Sequence, residues 1–139
     1  MINKVLGIED DTTTHFLNEI KLKQANFCHE YIKVYNGEQA IDYFQQLSGN
    51  FNETAIDHLP EVILLDLNMP VMDGWEFLEL YQEQFPQFAS RTKLYILTSS
   101  INPKDKEKAN NSQIVTACLE KPLDDNGLNR INDDLSKEN

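Results

Sequence analysis

Continuous apolar runs alternate with amphipathic ones along the chain. Val5-Leu6-Gly7-Ile8 is short and apolar throughout, as a strand buried on both faces should be. It runs into Glu9-Asp10-Asp11, and Thr12, Thr13 and Thr14 then offer N-caps to a helix with Phe16, Leu17 and Ile20 on one face. Tyr31-Ile32-Lys33-Val34-Tyr35 predicts a second strand, closed by Asn36-Gly37. Ala40, Ile41, Phe44 and Leu47 follow at helical spacing. Ser48-Gly49-Asn50 ends that helix, and a loose segment runs to Pro60. Glu61-Val62-Ile63-Leu64-Leu65-Asp66 is the third predicted strand. Asp73-Gly74 starts a helix bearing Trp75, Leu78, Tyr81 and Phe85, which Pro86 stops. Lys93-Leu94-Tyr95-Ile96-Leu97 predicts a fourth strand ending in Thr98-Ser99-Ser100. Asn102-Pro103 opens a helix whose body, Lys104 to Asn111, is so poor in apolar residues that it should be marginal and exposed. Ile114 to Leu119 is the fifth strand, ending in Glu120-Lys121-Pro122, and the last helix carries Leu128, Ile131 and Leu135.

Strands that alternate with helices over a whole chain predict an α/β fold on a parallel sheet. The 139 residues suffice for one domain, read as residues 1–135 with a fraying tail at 136–139. No run approaches the roughly 18 apolar residues that span a bilayer, and the N-terminus lacks a signal peptide's apolar core. The expected location is cytoplasmic. The two cysteines, Cys28 and Cys118, and the three histidines, His15, His29 and His58, have no metal-ligand spacing, so no zinc site is expected. A net charge of −11 argues against direct nucleic-acid binding and against anionic membranes.

Chemistry is expected where parallel strands end, because open α/β sheets bind ligands outside their carboxyl edges. A charge ending a buried strand must meet water, a partner or a metal, which makes Asp66 the first candidate. Glu9 and Asp10 follow the first strand, Thr98 the fourth and Lys121 the fifth. Three carboxylates in one crevice repel each other, and a divalent, oxygen-preferring cation relieves this. Mg²⁺ suits one or two carboxylates with waters and a phosphate. A hydroxyl and an ammonium suit the remaining phosphoryl oxygens. The pattern fits an aspartate that accepts a phosphoryl group. Taken singly, each residue has a plainer reading. Glu9 and Asp10 would cap the first helix, Asp66 would be a solvated strand-end acid, Thr98 a β-favouring terminus and Lys121 a surface lysine. Asp11 reads as an acidic neighbour, Asp73-Gly74 as turn and helix-start chemistry, and Trp75 as packing.

With Ile8-Glu9-Asp10-Asp11, Leu64-Leu65-Asp66-Leu67-Asn68-Met69-Pro70-Val71-Met72-Asp73-Gly74, Leu97-Thr98-Ser99-Ser100 and Glu120-Lys121-Pro122 in this order, the chain resembles a stand-alone response-regulator receiver domain of two-component signalling, from Asn3 to Leu135. The resemblance implies a flavodoxin-like, doubly wound (βα)5 fold with strand order 2-1-3-4-5. It implies that Asp66 is phosphorylated by a histidine kinase or histidine phosphotransfer protein. Mg²⁺ would be bound by Asp10, Asp66 and the backbone carbonyl of Asn68, with Glu9 acting through coordinated water. Thr98 and Lys121 would take phosphoryl oxygens, Ser99 would be small enough to admit the group, and the Lys121-Pro122 bond would be cis. The chain would be a phosphoacceptor rather than a turnover enzyme. It would switch a face that binds a protein effector the sequence does not name.

Two features depart from the pattern. Receivers usually carry Tyr or Phe three residues before the lysine, where this chain has Cys118. The sparse helix after Pro103 is expected to be mobile before phosphorylation. Rival readings are a pseudo-receiver that binds partners without phosphorylation, and an aspartate-nucleophile phosphatase. The latter favours a second aspartate two residues after the nucleophile, where Asn68 stands and cannot donate a proton in that way. A flavin-binding protein of this fold would need a phosphate loop rich in Ser, Thr and Gly after the first strand, which is missing.

Overall fold

The computed structural model describes residues 1–49, 56–99 and 101–137. Five parallel strands, β1 (Ile2–Ile8), β2 (Cys28–Val34), β3 (Val62–Leu65), β4 (Lys93–Thr98) and β5 (Val115–Glu120), form one sheet in the order β2-β1-β3-β4-β5. Helices α1 (Thr12–Gln24), α2 (Gly37–Gly49), α3 (Gly74–Gln84), α4 (Pro86–Ala89), α5 (Pro103–Asn111) and α6 (Asp125–Ser136) connect and follow the strands. This is the doubly wound, flavodoxin-like order expected. Register aligns the strand ends that matter: Ile8 pairs with both Val34 and Leu65, Leu65 with Ile96, and Thr98 with Glu120.

Side chains alternate across each strand, so the continuous apolar runs feed two cores. Leu6, Ile8, Ile63, Leu65 and Ile96 pack with Phe44 of α2, Phe77 and Tyr81 of α3, Phe88 of α4 and Ala109 of α5. Val5, Val62, Leu64, Tyr95 and Leu97 face Leu22 of α1 and Leu128 and Ile131 of α6. The first core is largely aromatic, with Phe44 and Tyr81 centroids 4.6 Å apart and Phe77 stacked on Tyr81 at 5.4 Å.

Several local expectations are corrected. α1 does not bury Phe16 and Leu17, which are 59% and 50% exposed; it turns His15, Asn18 and Leu22 inward. The polar pair is tolerated because β2 supplies hydrogen-bond partners. The N-cap of α1 is Asp11 rather than a threonine: its carboxylate accepts the Thr13 N–H at 3.1 Å and the Thr14 hydroxyl at 2.9 Å. Pro86 ends one helix and starts another, sitting in the first turn of α4, where its missing N–H costs nothing. β1 and β2 begin three residues earlier than their apolar runs suggested, and β3 closes at Leu65, one residue before Asp66. Of the loose segment before Pro60, Ile56–His58 forms a 3-10 turn; Asn50 and residues 51–55 lie outside the described residues, as do Ser100, Glu138 and Asn139. Ser136 belongs to α6 and donates its hydroxyl to the Asn132 carbonyl at 3.0 Å. Among the described residues, no helix is long and apolar enough to cross a membrane.

Candidate functional site

The carboxyl edge of the sheet gathers the acids. Glu9 and Asp10 lie between β1 and α1, and Asp66 just past β3, where its backbone N–H donates to the Ile8 carbonyl at 2.9 Å. Oxygens from the three carboxylates fall within 4.8 Å of one another. Glu9 and Asp66 are buried, while Asp10 faces solvent. The Lys121 ammonium reaches in from the end of β5. It pairs with Glu9 Oε1 and lies 3.6 Å from Asp66 Oδ1. Thr98, buried at the end of β4, holds the lysine's backbone, its carbonyl accepting the Lys121 N–H at 2.8 Å. The Lys121-Pro122 peptide is cis.

The loop after Asp66 shapes the mouth. Asn68 is exposed and donates its N–H to Asp66 Oδ1 at 3.4 Å. Val71 has φ +72°, and the Met72 N–H reaches back to the Pro70 carbonyl at 2.8 Å, closing a γ-turn of the rarer, strained hand. Asp73 then caps α3 with a reciprocal capping box to Glu76. Gly74 lets that helix start against the site: a Cβ there would lie 2.7 Å from the Asp66 carbonyl oxygen. Asp10, Leu67, Asn68, Met69, Pro70, Asp73, Trp75 and Asp105 line an open crevice of about 540 Å³.

Charge decides what the carboxylate cluster, which opens onto this crevice through Asp10, can hold. Three carboxylates against one ammonium leave a formal −2 (−3 + 1) at the site. Asp10 registers the imbalance. Desolvation, then the hydrogen bond and charge of Glu9, hold its carboxyl above the usual value. For Lys121, burial works to lower the pKa, but the Glu9 hydrogen bond and the charges of Asp66 and Glu9 outweigh it, leaving the ammonium above its ordinary value. A divalent cation would cancel the remaining charge. An all-oxygen donor set next to a solvent-open mouth suits a hard ion that keeps several waters.

Fold and crevice together define a doubly wound α/β domain with a carboxylate cluster suited to a divalent cation. The response regulator receiver domain model matches residues 5–132, and the chain belongs to that family. It is 33% identical over 101 residues to the response regulator Rcp1 of Synechocystis, an alignment covering 73% of this chain and 65% of Rcp1. A two-component response regulator from Cytophaga hutchinsonii superposes with TM-score 0.87 at 30% identity, covering 98% of both chains. Rcp1 has been crystallised with Mn²⁺ bound (29% identity, 93% of this chain and 88% of that one, TM-score 0.70). The cyanobacterial phytochrome response regulator RcpA has been crystallised phosphorylated (27% identity, 99% and 93% covered, TM-score 0.72). Receiver domains are signalling modules of two-component systems rather than turnover enzymes.

Several contacts escape sequence reasoning. The Glu9–Lys121 pair joins two strand ends distant in sequence. Trp75 is more than packing: its indole N–H donates to Asp105 Oδ1 at 3.2 Å, and the Lys108 ammonium lies 4.9 Å above its ring. Exposed α5, which buries only Ala109, is thereby tied to α3 at the crevice mouth. Spacing gives His15 no role as a metal ligand, yet it is buried and bonded on both ring nitrogens. Cys118 is half-buried beside the first core and lines a groove with Ile101, Lys106 and Ala109.

Proposed function

We propose that the chain is the phosphoacceptor of a two-component or phosphorelay system, with Asp66 as the acceptor. The supporting observation is the meeting of Glu9, Asp10 and Asp66 within 4.8 Å beside Lys121, with Asp10 opening onto the crevice. An Asp66 carboxylate oxygen attacks the phosphorus of a phosphohistidine on a histidine kinase or histidine phosphotransfer protein. The new O–P bond forms as the P–N bond breaks, and the imidazole nitrogen leaves with the bonding pair. Asp10, Asp66 and the Asn68 carbonyl would hold Mg²⁺, with Glu9 engaged through water, and the ion would neutralise charge on the carboxylate and phosphoryl oxygens. The Thr98 hydroxyl donates to one phosphoryl oxygen. Lys121 exchanges Glu9 for another, so the ion pair of the resting site becomes part of the signal. Positioning and charge neutralisation are the catalysis that phosphoryl transfer requires.

The exposed Phe16, Leu17 and Val71 give a donor protein apolar surface on α1 and the Asp66 loop. Output passes through repositioning of α5 and its neighbouring loop, because Cys118 is too small to report the switch as the Tyr or Phe usual in receivers would. The test is incubation with Mg²⁺ and acetyl phosphate, followed by intact mass. One acid- and base-labile phosphoryl adduct is expected in wild type and none in Asp66→Asn. A wild type that stays unmodified would favour a pseudo-receiver that binds partners without phosphorylation.

A further inference from the structure

Three polar side chains stand between α1 and β2 where an amphipathic pattern would place carbon. His15 is 1% and Asn18 3% exposed, and Tyr31 packs against the core that holds Val5 and Leu22. Their hydrogen bonds have determined directions. The Val34 carbonyl can only accept, so His15 Nε2, 3.0 Å away, carries a proton. Burial disfavours the imidazolium, so His15 Nδ1 is the acceptor of the Tyr31 hydroxyl at 2.7 Å. That hydroxyl in turn accepts from Asn18 Nδ2 at 3.2 Å. The result is one chain of donors, from Asn18 through Tyr31 and His15 to the Val34 carbonyl.

The chain ends on the atom that also holds the acidic crevice. The same Val34 carbonyl accepts the Glu9 backbone N–H at 3.1 Å. From that anchored backbone the Glu9 carboxylate accepts the Asp11 N–H at 3.2 Å and pairs with Lys121. β1 is shaped to admit the network: a Cβ on Gly7 would lie 2.1 Å from the Tyr31 hydroxyl oxygen. Leucines at positions 15 and 18 would cover the sheet without needing partners. Polar groups here supply what apolar ones cannot, a directional hold on one carbonyl.

We propose that Asn18, Tyr31 and His15 are positioning residues for Glu9, fixing the Val34 carbonyl and so the backbone from which Glu9 serves the cation site. This rests on the metal reading given above. It extends to a backbone anchor the rule that groups behind a metal ligand tune its affinity.

The experiment is titration of the full chain with Mn²⁺ at fixed pH, reading free Mn²⁺ by its EPR signal. Tyr31→Phe keeps the ring and removes the hydroxyl; affinity is expected to fall about tenfold, the lower end for a supporting group. In a Glu9→Gln background the same substitution is expected to change affinity by less than about twofold, because its route runs through Glu9. A role in packing alone would lower the melting temperature while leaving Mn²⁺ affinity in place, or would act equally in both backgrounds. Either result overturns the proposal. Asn18→Leu removes only the donor to the hydroxyl and serves if Tyr31→Phe does not fold; a loss of about threefold is expected, the size of one net hydrogen bond, and wild-type affinity overturns the proposal. A wild-type chain that binds no Mn²⁺ overturns the metal reading itself, and this proposal with it.

Discussion

Val71 carries the strained backbone of the crevice. A β-branched residue at φ +72° is a rare conformation for an L side chain, and this one is 77% exposed with little packing to offset it. Val71→Gly is expected to stabilise the chain by about 1 kcal/mol in urea unfolding, relief of strain outweighing the added freedom of the unfolded glycine. A loss of stability would mean that the valine packs against something its exposure does not suggest. Lys121 gives a pH test. Its folded pKa is above the ordinary 10.5, so its ion pairs contribute stability that is complete below that pH and lost as pH rises through the folded value. Lys121→Met is expected to lower stability at neutral pH by about 1–3 kcal/mol, by leaving buried carboxylates unpaired. It should also flatten the alkaline decline. Burial holds the Tyr31 and Tyr81 hydroxyls above their ordinary value and steepens the same limb, so only the comparison of variant with wild type isolates the lysine. An unchanged alkaline limb in Lys121→Met would refute the assignment. At this scale Asp66, Glu9, Asp10, Thr98 and Lys121 are legible in the sequence, because a polar residue that ends an apolar run can be seen in one dimension. His15 and Asn18 are not. Pattern reading sends polar residues to solvent, and only their partners on β2 make burial affordable.

Among the elements, α5 tests what holds an exposed helix. Its sequence has the right ends, with Asn102 as N-cap accepting the Asp105 N–H at 2.8 Å and Pro103 in the first turn. Its body offers almost no apolar face, so its exposure is legible beforehand. The Trp75 bond to Asp105 and the Lys108 contact are not, because they join α3 to α5 across an intervening strand. Trp75→Phe removes the indole donor and weakens the cation contact, together about 1–1.5 kcal/mol. Amide exchange over Asp105 to Asn111 is expected to speed up by roughly tenfold, with little change in the strands. Equal protection in both proteins would show that Ala109 packing alone secures the helix. The same limit explains the misread face of α1. Phe16, Leu17 and Ile20 are apolar, but the sheet lies under His15, Asn18 and Leu22, and which side faces the sheet is set by the strands. Strand existence and order survive such errors. Apolar runs between helices admit few topologies, and the motif set selects one of them.

For the whole molecule, charge links folding to the site. A net −11 on 139 residues means that any added salt should stabilise the fold by screening, while a cation bound at the crevice should add a separate gain by mass action. Asp10→Asn separates the two. Without metal, the folded state holds the Asp10 proton more tightly than the unfolded chain does, so ionising it above its ordinary 3.8 costs stability. The amide removes that cost, and the variant is expected to be more stable than wild type at neutral pH. The gain should be at most about 1 kcal/mol, because the carboxylate is exposed and screened. With Mg²⁺ at about a hundredfold its dissociation constant, wild type should gain about 2.7 kcal/mol beyond NaCl of matched ionic strength, and the variant almost none. The order of stability therefore reverses between metal-free and Mg²⁺-loaded urea titrations. Screening alone shifts both proteins alike, and a folding defect keeps the variant below wild type throughout. Only removal of a ligand that is repelled without metal and used with it makes the two curves cross. Parallel responses to Mg²⁺ would place the cation elsewhere than at Asp10.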